Sequence, residues 1–335
     1  MSDLLQVAKL AGVSRATAAR AFSSPDLVRE ATRNKIFAAS EQLGFRPNHI
    51  ARQLRTQSTR IIGVLLPSLQ NPIFAAQLQA MENLAQLHGY SLLVATSNYQ
   101  PQREAAIVEN MLRQRVDGLV LTVADADHSA VLLDLQREAI PLVLVHNSPQ
   151  RLALPAVRVD NRLAVMQATE VLLQLGHRHI GMIAGPMLQS DRARQRYQGY
   201  CDAMSQAGLT PADVIEMPSH IHSDLNTLRP LLHGPRAFTA LLCTNDLLAL
   251  SVMGELMRTG YQIPQQISVI GFDGIEMGRM QFPSLSSVVQ PLEEMGRLAI
   301  THLLAQIAGE IPPAGCLAHQ FRYGESIAPP TAQTL

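Results

Sequence analysis

Tryptophan is absent from the 335 residues, aromatic side chains make up only 4%, and there are three cysteines. Cys201, Cys243 and Cys316 are too widely spaced for a metal-binding motif and too few for a disulfide framework, which fits a reducing compartment. Long apolar runs are missing as well. The start lacks the basic-then-apolar pattern of a secretory signal, and stretches such as IIGVLLP have the length of a strand, not of a membrane span. A cytoplasmic protein without membrane contact is therefore expected. Catalytic fingerprints are equally scarce. GxGxxG is absent from the first strand–helix junction, and neither a P-loop, HExxH nor GxSxG occurs. His177 and His179 in GHRHIG stand two apart with no legible third ligand, so the expectation is no metal and no cofactor.

Apolar residues account for 47% of the chain and charged ones for 16%, enough for two or three ordinary domains. The formal net charge of +0 hides an asymmetry. Residues 1–60 hold ten Lys or Arg against four Asp or Glu, and the remainder carries the compensating negative excess. A basic head on an acidic body suits a polyanion partner for the head alone.

The head begins with DLLQVAKLAGVSRATAARAFSS. Asp3, with Gln6 three residues on, has the spacing of a capping box, and Ser14 stands where it caps a second helix after the Ala11-Gly12-Val13 turn. Val7, Leu10, Val13, Ala18, Phe22, Ile36, Ala39 and Leu43 recur at spacings that supply the faces of a small three-helix core. Arg15, Thr17 and Arg20 cluster on the second helix, with small Ala16 and Ala19 permitting close approach to a DNA groove. Arg15 and Ala16, in the first turn, are assigned to base edges, and Thr17 and Arg20 to mixed base and phosphate contacts. The connector RPNHIARQLRTQSTR carries a one-turn apolar stripe, Ile50, Ala51 and Leu54, among arginines. It reads either as a plain linker or as a hinge helix that orders on DNA, with Leu54 as a minor-groove wedge.

From Ile61 the pattern becomes strand-then-helix, run through twice: RIIGVLLP, YSLLVATS, VDGLVLT and IPLVLV, then HIGMIAG, FTALLC and QISVIGF. This alternation indicates two parallel α/β sheets with a cleft at their carboxyl ends. Asn245 and Asp246 follow one strand, Asp273 another, and His146 and Asn147 a third; Arg196 lies early on a helix. An arginine with several Asp or Asn groups suits a small polyhydroxylated molecule bearing a carboxylate. Asp246 as a helix cap and Asp273 as a turn former are the bland readings.

Several stretches together resemble the lactose/galactose-repressor family of bacterial transcription regulators: VAKLAGVSRATAARAF, NKIFAASEQLGFRPNHIARQLRT, LGHRHIGMIAGP, TNDLLALSVMGEL and GYQIPQQISVIGFDG. The resemblance spans essentially the whole chain. It implies an all-α helix-turn-helix head (1–45), a hinge helix and linker (46–60), and a periplasmic-binding-protein-like α/β body of two parallel-sheet lobes (61–335) that binds effector and dimerises. Lobe one takes about 61–160 plus 290–320, and lobe two about 161–289 plus the C-terminal segment. The implied partners are double-stranded operator DNA, a small effector and a second copy of the chain. By the family pattern, Arg15, Ala16, Thr17 and Arg20 are recognition positions, Leu54 the hinge leucine, Arg196 the pocket arginine three residues before Gly199, and Asn245 and Asp273 its companions. Phe74 matches an aromatic at the cleft and Asp160 a position near the crossover. Two departures stand in the head: Ala18-Ala19 replaces a usual Val-Ser pair, and Arg29 occupies a position usually held by a capping Ser. IGVLLPSLQNPIFA, CTNDLLA and the segment after GFDG look most like gluconate-utilisation repressors, which implies a sugar acid such as gluconate or a keto-gluconate. A purine, neutral sugar or phosphorylated metabolite is the alternative effector; a transport-type sugar-binding protein or a sugar-modifying enzyme is the alternative class.

Overall fold

The computed structural model describes residues 3–45, 58–232, 237–313 and 315–331. It divides into two compact units, Met1–Thr59 and Arg60–Leu335. The hinge residue Leu54 lies outside the described residues.

In the first unit, helix α1 (Leu4–Leu10) opens with the expected capping box: Asp3 accepts from the Leu5 and Gln6 amides at 2.8 and 2.9 Å, and Gln6 Oε1 accepts from the Asp3 amide at 3.2 Å. Gly12 turns the chain at a φ of +66°, a conformation that costs glycine nothing. Helix α2 (Arg15–Ser23) follows, with Ser14 Oγ accepting from the Thr17 amide at 3.0 Å. Helix α3 (Glu30–Gln42) starts at Arg29 with no side-chain cap, as the arginine there predicts. Val7, Ala8, Ala18, Ala21, Val28, Ile36 and Ala39 form the core, and Phe22 packs against Phe37 and Phe45 beside it. Leu10 is a correction: it is 49% exposed, because the face of α1 that meets the core runs through Leu4, Val7, Ala8 and Ala11 and leaves Leu10 beside it. So few buried side chains leave a small hydrophobic driving force.

The second unit holds two six-stranded sheets. The first has the order β11-β5-β4-β3-β1-β2: β1 (Ile61–Leu66), β2 (Ser91–Thr96), β3 (Gly118–Leu121), β4 (Leu142–Val145), β5 (Ala156–Val159) and β11 (Gly315–Leu317). All of its pairings are parallel. The second has the order β12-β10-β9-β8-β6-β7: β6 (Ile180–Ala184), β7 (Ile215–Glu216), β8 (Ala240–Cys243), β9 (Ser268–Asp273), β10 (Ser286–Val289) and β12 (Gln320–Arg322). Only β12 runs antiparallel to its neighbour there. Buried, β-branched and leucine-rich strands covered by helices on both faces are what parallel pairing requires. The helix Leu292–Ile307 opens after Pro291, and its Gln306 holds Leu142 of β4, so the chain returns to the first sheet before β11 and β12 finish both.

The body's helices, in chain order, begin with α4 (Pro72–Leu87), α5 (Pro101–Arg113), α6 (Ala130–Arg137), α7 (Asn161–Gln174), α8 (Asp191–Gln206), α9 (Leu225–Leu228) and α10 (Asp246–Arg258). One helix crossing fixes the later geometry. Helices α7 and α8 meet where Gly199 has no side chain, and a Cβ there would lie 2.1 Å from the Arg162 carbonyl oxygen. Helix backbones approach this closely only across glycine.

Candidate functional site

The carboxyl ends of strands from both sheets face one cavity of about 50 Å³. This is the crevice in which open parallel sheets bind ligands. The first lobe contributes Asn71, Ile73 and Phe74 after β1, Tyr99 after β2 and His146 after β4. The second contributes Ser190, Arg192, Ala193 and Arg196 of the α8 start, His220 after β7, Thr244 and Asn245 after β8, and Asp273 at the end of β9. Three lining residues hold positive φ without being glycine: Tyr99 (59°), His146 (67°) and Asp273 (121°). Such backbone strain is tolerated where the surroundings over-determine a position, typically at functional sites.

Arg196 is buried and tightly held. Its Nε donates to Asn161 Oδ1 at 2.8 Å, NH1 donates to the Thr244 carbonyl, and the guanidinium lies 3.5 Å from the Phe272 ring centroid. Burial lowers its pKa to about 10, against the opposing charge of Asp273, and it remains a cation at neutral pH. The contact with Asn161, the first residue of α7, exists because Gly199 one turn later lets the two helices touch. Asp273 accepts from Asn71 Nδ2 at 3.1 Å across the cleft and from Gln290 Nε2 at 2.8 Å. Burial raises its pKa, with Arg196, Asn71 and Gln290 opposing the rise. His146 sits edge-on to Phe74, and its Nε2 meets Gln77 Oε1 at 3.2 Å. Across the mouth, the Tyr99 ring of one lobe lies against the His220 ring of the other, tilted by 31° with centroids 4.0 Å apart.

Four of the effector positions expected from the sequence, Phe74, His146, Arg196 and Asp273, line the cavity, and Asn245 lines it while also capping helix α10 (Asp246–Arg258). Three others do not line it. Asp246 lies beneath the wall, accepting from Ser287 Oγ at 2.6 Å and the Ile275 amide at 2.7 Å, so the helix cap is Asn245 rather than Asp246. Asn147 turns away to bind Val123 and Asp191. Asp160 caps α7 through the Leu163 amide at 2.9 Å. Asp246 and Asn147 are claimed by groups distant in the chain, which spacing does not reveal, whereas Asp160 is spent on the local cap of its own helix. Asn71, Tyr99, Ser190, Arg192, His220 and Thr244 escaped the sequence reading. Only Arg192 carried a signal: it precedes Arg196 by one helical turn, on the same face. His177 is structural, its ring held between Thr239 Oγ1 at 2.8 Å and the Ala328 carbonyl at 2.9 Å.

Buried histidines give the body an acid response. Burial, then Arg192 and Arg196, push the His146 pKa down to about 3; burial and Arg192 push His220 to about 4. Both are neutral in the folded chain, whereas the unfolded chain takes up protons below about 6.5. Stability is thus full above that pH and falls as pH drops towards 4, by up to about 1.4 kcal/mol per unit for each histidine. Asp246, raised to about 8 by burial and then by Asp273, works the other way: its contribution is full below the usual carboxylate range and fades as pH rises through 8. His146→Asn, which suits the positive φ, should therefore flatten the pH 4–7 slope in urea melts. An unchanged slope would assign the acid response elsewhere.

On the surface of the first unit, Arg15, Ala16 and Arg20 are exposed along α2, and Thr17 is half-buried with its hydroxyl 2.9 Å from Ser14 Oγ. Ala18 belongs to the core instead of this face. Among the described residues no helix is long and apolar enough to cross a membrane.

A three-helix unit of helix-turn-helix form and a two-sheet body with a polar cleft are the parts of a DNA-binding regulator with a small-molecule-binding domain. Two family models match: bacterial regulatory proteins of the lacI family over residues 3–48, and periplasmic binding proteins and sugar binding domain of LacI family over residues 59–322. The chain belongs to the LacI family of transcription regulators, whose two-lobed domain binds small-molecule effectors. It is 36% identical over 309 residues to the HTH-type transcriptional regulator GntR of Escherichia coli K12, covering 92% of each chain. It is 34% identical over 308 residues to the regulator IdnR of the same strain, covering 91% of this chain and 92% of that one. In structure it is similar to the lac repressor dimer bound to operator and the anti-inducer ONPF, with a TM-score of 0.88, 26% identity, and coverage of 98% and 99%.

Proposed function

We propose that the protein is a cytoplasmic, homodimeric repressor released from its operator by a sugar acid of the gluconate or keto-gluconate type. In this reading Arg15 and Ala16 meet base edges in the major groove, and Thr17 and Arg20 share base and phosphate contacts. Leu54 is the proposed minor-groove wedge of the hinge. Two heads on two-fold-related chains fit a near-palindromic site. The operator-bound dimer of the lac repressor supports that arrangement.

The effector assignment rests above all on one observation: two buried arginines, Arg192 and Arg196, line the cavity against a single lining carboxylate, Asp273. Both Asp273 oxygens already accept hydrogen bonds. Arg192 is paired through NH1 with Asp191, which does not line the cavity, so the N–H groups of the two guanidiniums that remain open are the donors offered to ligand, and a carboxylate-bearing polyol matches them. The likeness to GntR and IdnR points in the same direction. Effector that binds one setting of the lobes better shifts the dimer away from operator by that differential affinity.

Calorimetric titration with D-gluconate, 2-keto- and 5-keto-gluconate, and neutral sugars tests the effector class; binding of neutral sugars alone would refute it. Operator affinity should fall steeply with salt, and Arg20→Ala should weaken it while lowering the salt slope by about one, the signature of a lost phosphate contact. An unchanged slope would remove Arg20 from the phosphate-contacting set.

A further inference from the structure

We propose that Arg192, not Arg196, is the residue that reads the effector's carboxylate, and that the same guanidinium ties this reading to closure of the lobes. The inference rests on the sugar-acid reading above and names the group within the site that enforces it.

Arg192 is the second residue of α8 and is 6% exposed. Its NH1 donates to the Val123 carbonyl of the first lobe at 2.7 Å and to Asp191 Oδ1 at 3.0 Å. Those bonds use both NH1 protons. Asp191 is anchored in turn across the cleft, its Oδ2 accepting from Asn147 Nδ2 at 2.7 Å and the Ala126 amide at 3.2 Å. The pair therefore forms a clasp from the second lobe onto the chain following β3 and β4. Nε and NH2 of Arg192 make no hydrogen bond among the described residues, and the side chain lines the cavity. These two donors form one edge of the guanidinium, the edge that meets a carboxylate through two parallel bonds.

Arg196 has lost that edge. Its Nε is spent on Asn161, NH1 on the Thr244 carbonyl, and its plane on Phe272. The donors it retains, on NH1 and NH2, can meet ligand only end-on and not along the Nε–NH2 edge. A neutral polyol would leave the free edge of Arg192 buried and unpaired, and that loss is the basis of discrimination.

The test uses the full chain and two ligands of nearly one shape, D-gluconate and its neutral amide, D-gluconamide. Wild type should prefer gluconate by about 100-fold, the scale of a buried charge-assisted pair. Arg192→Gln should bring the two affinities within about threefold, whereas Arg196→Gln should weaken both and keep the ratio. A full ratio in Arg192→Gln, or a collapsed one in Arg196→Gln, overturns the assignment. Should Arg192→Gln fail to fold in thermal melts, Arg192→Lys is the arbiter, since it keeps a point charge without the fork: a reduced ratio supports the proposal and an undiminished one refutes it. Wild type that binds neither gluconate nor the keto-gluconates would fell the sugar-acid reading and this inference together; normal binding with an unaltered ratio in the variant would fell this inference alone. Small-angle scattering of unliganded Arg192→Gln should show a larger radius of gyration than wild type, and equal radii would refute the clasp.

Discussion

Gly199→Ala lowers the stability of the body by about 3 kcal/mol, the upper part of the usual range for overpacking a close contact. The added methyl would stand 2.1 Å from the Arg162 carbonyl oxygen, 2.9 Å from its carbonyl carbon and 3.0 Å from the Met166 amide nitrogen. All three are backbone atoms of α7, so no rotamer change relieves the clash and the helices must separate. Separation draws Arg196 away from Asn161, because the two residues meet only at that crossing. Effector affinity should fall with stability. A contrasting glycine makes the control: Gly254, inside α10, would place its methyl no nearer than 3.3 Å, against the movable guanidinium of Arg258. Gly254→Ala should leave stability unchanged or raise it by about 0.5–1 kcal/mol through the lower entropy of the unfolded chain. Chemical denaturation of the two variants decides the matter. Equal stabilities would mean that the crossing is looser than its geometry.

Arg196→Met reduces effector affinity by at least about 100-fold, since truncating one member of a buried charged network costs roughly 2–5 kcal/mol. The loss has two sources. Direct donors to ligand disappear, and Asn161 Oδ1 and the Thr244 carbonyl are left facing an apolar side chain. The second source also destabilises the unliganded protein, by about 1–3 kcal/mol for the unsatisfied acceptors. Titration calorimetry and urea denaturation, read side by side, separate the two. Unaltered affinity would remove Arg196 from the site, whatever the change in stability.

Much of the architecture was legible along the chain. Capping side chains announced α1 and α2, because Asp3 and Ser14 satisfy amides that lie only two or three residues away. Apolar strand runs announced both parallel sheets, because strands covered on both faces admit little else. The short edge strands β11 and β12 carried no such signal. At three residues each, they owe their conformation to the neighbours they pair with.

The cleft divides along the same line. Residue types at strand ends and helix starts are a local property, and His146, Arg196, Asn245 and Asp273 could be nominated from them, whereas Phe74 came from the family resemblance alone. Whether a side chain faces the cavity depends on which distant group reaches it first. Ser287 claims Asp246 from 41 residues away, and Asp191 claims Asn147 from 44, so both turn from the ligand side. Tyr99 and His220 meet only when two loops from opposite lobes are brought together. Local order follows from bonds made between near neighbours in the chain, and those are written in its spelling. Partnership across a cleft is a competition among groups hundreds of atoms apart, and only the folded arrangement resolves it.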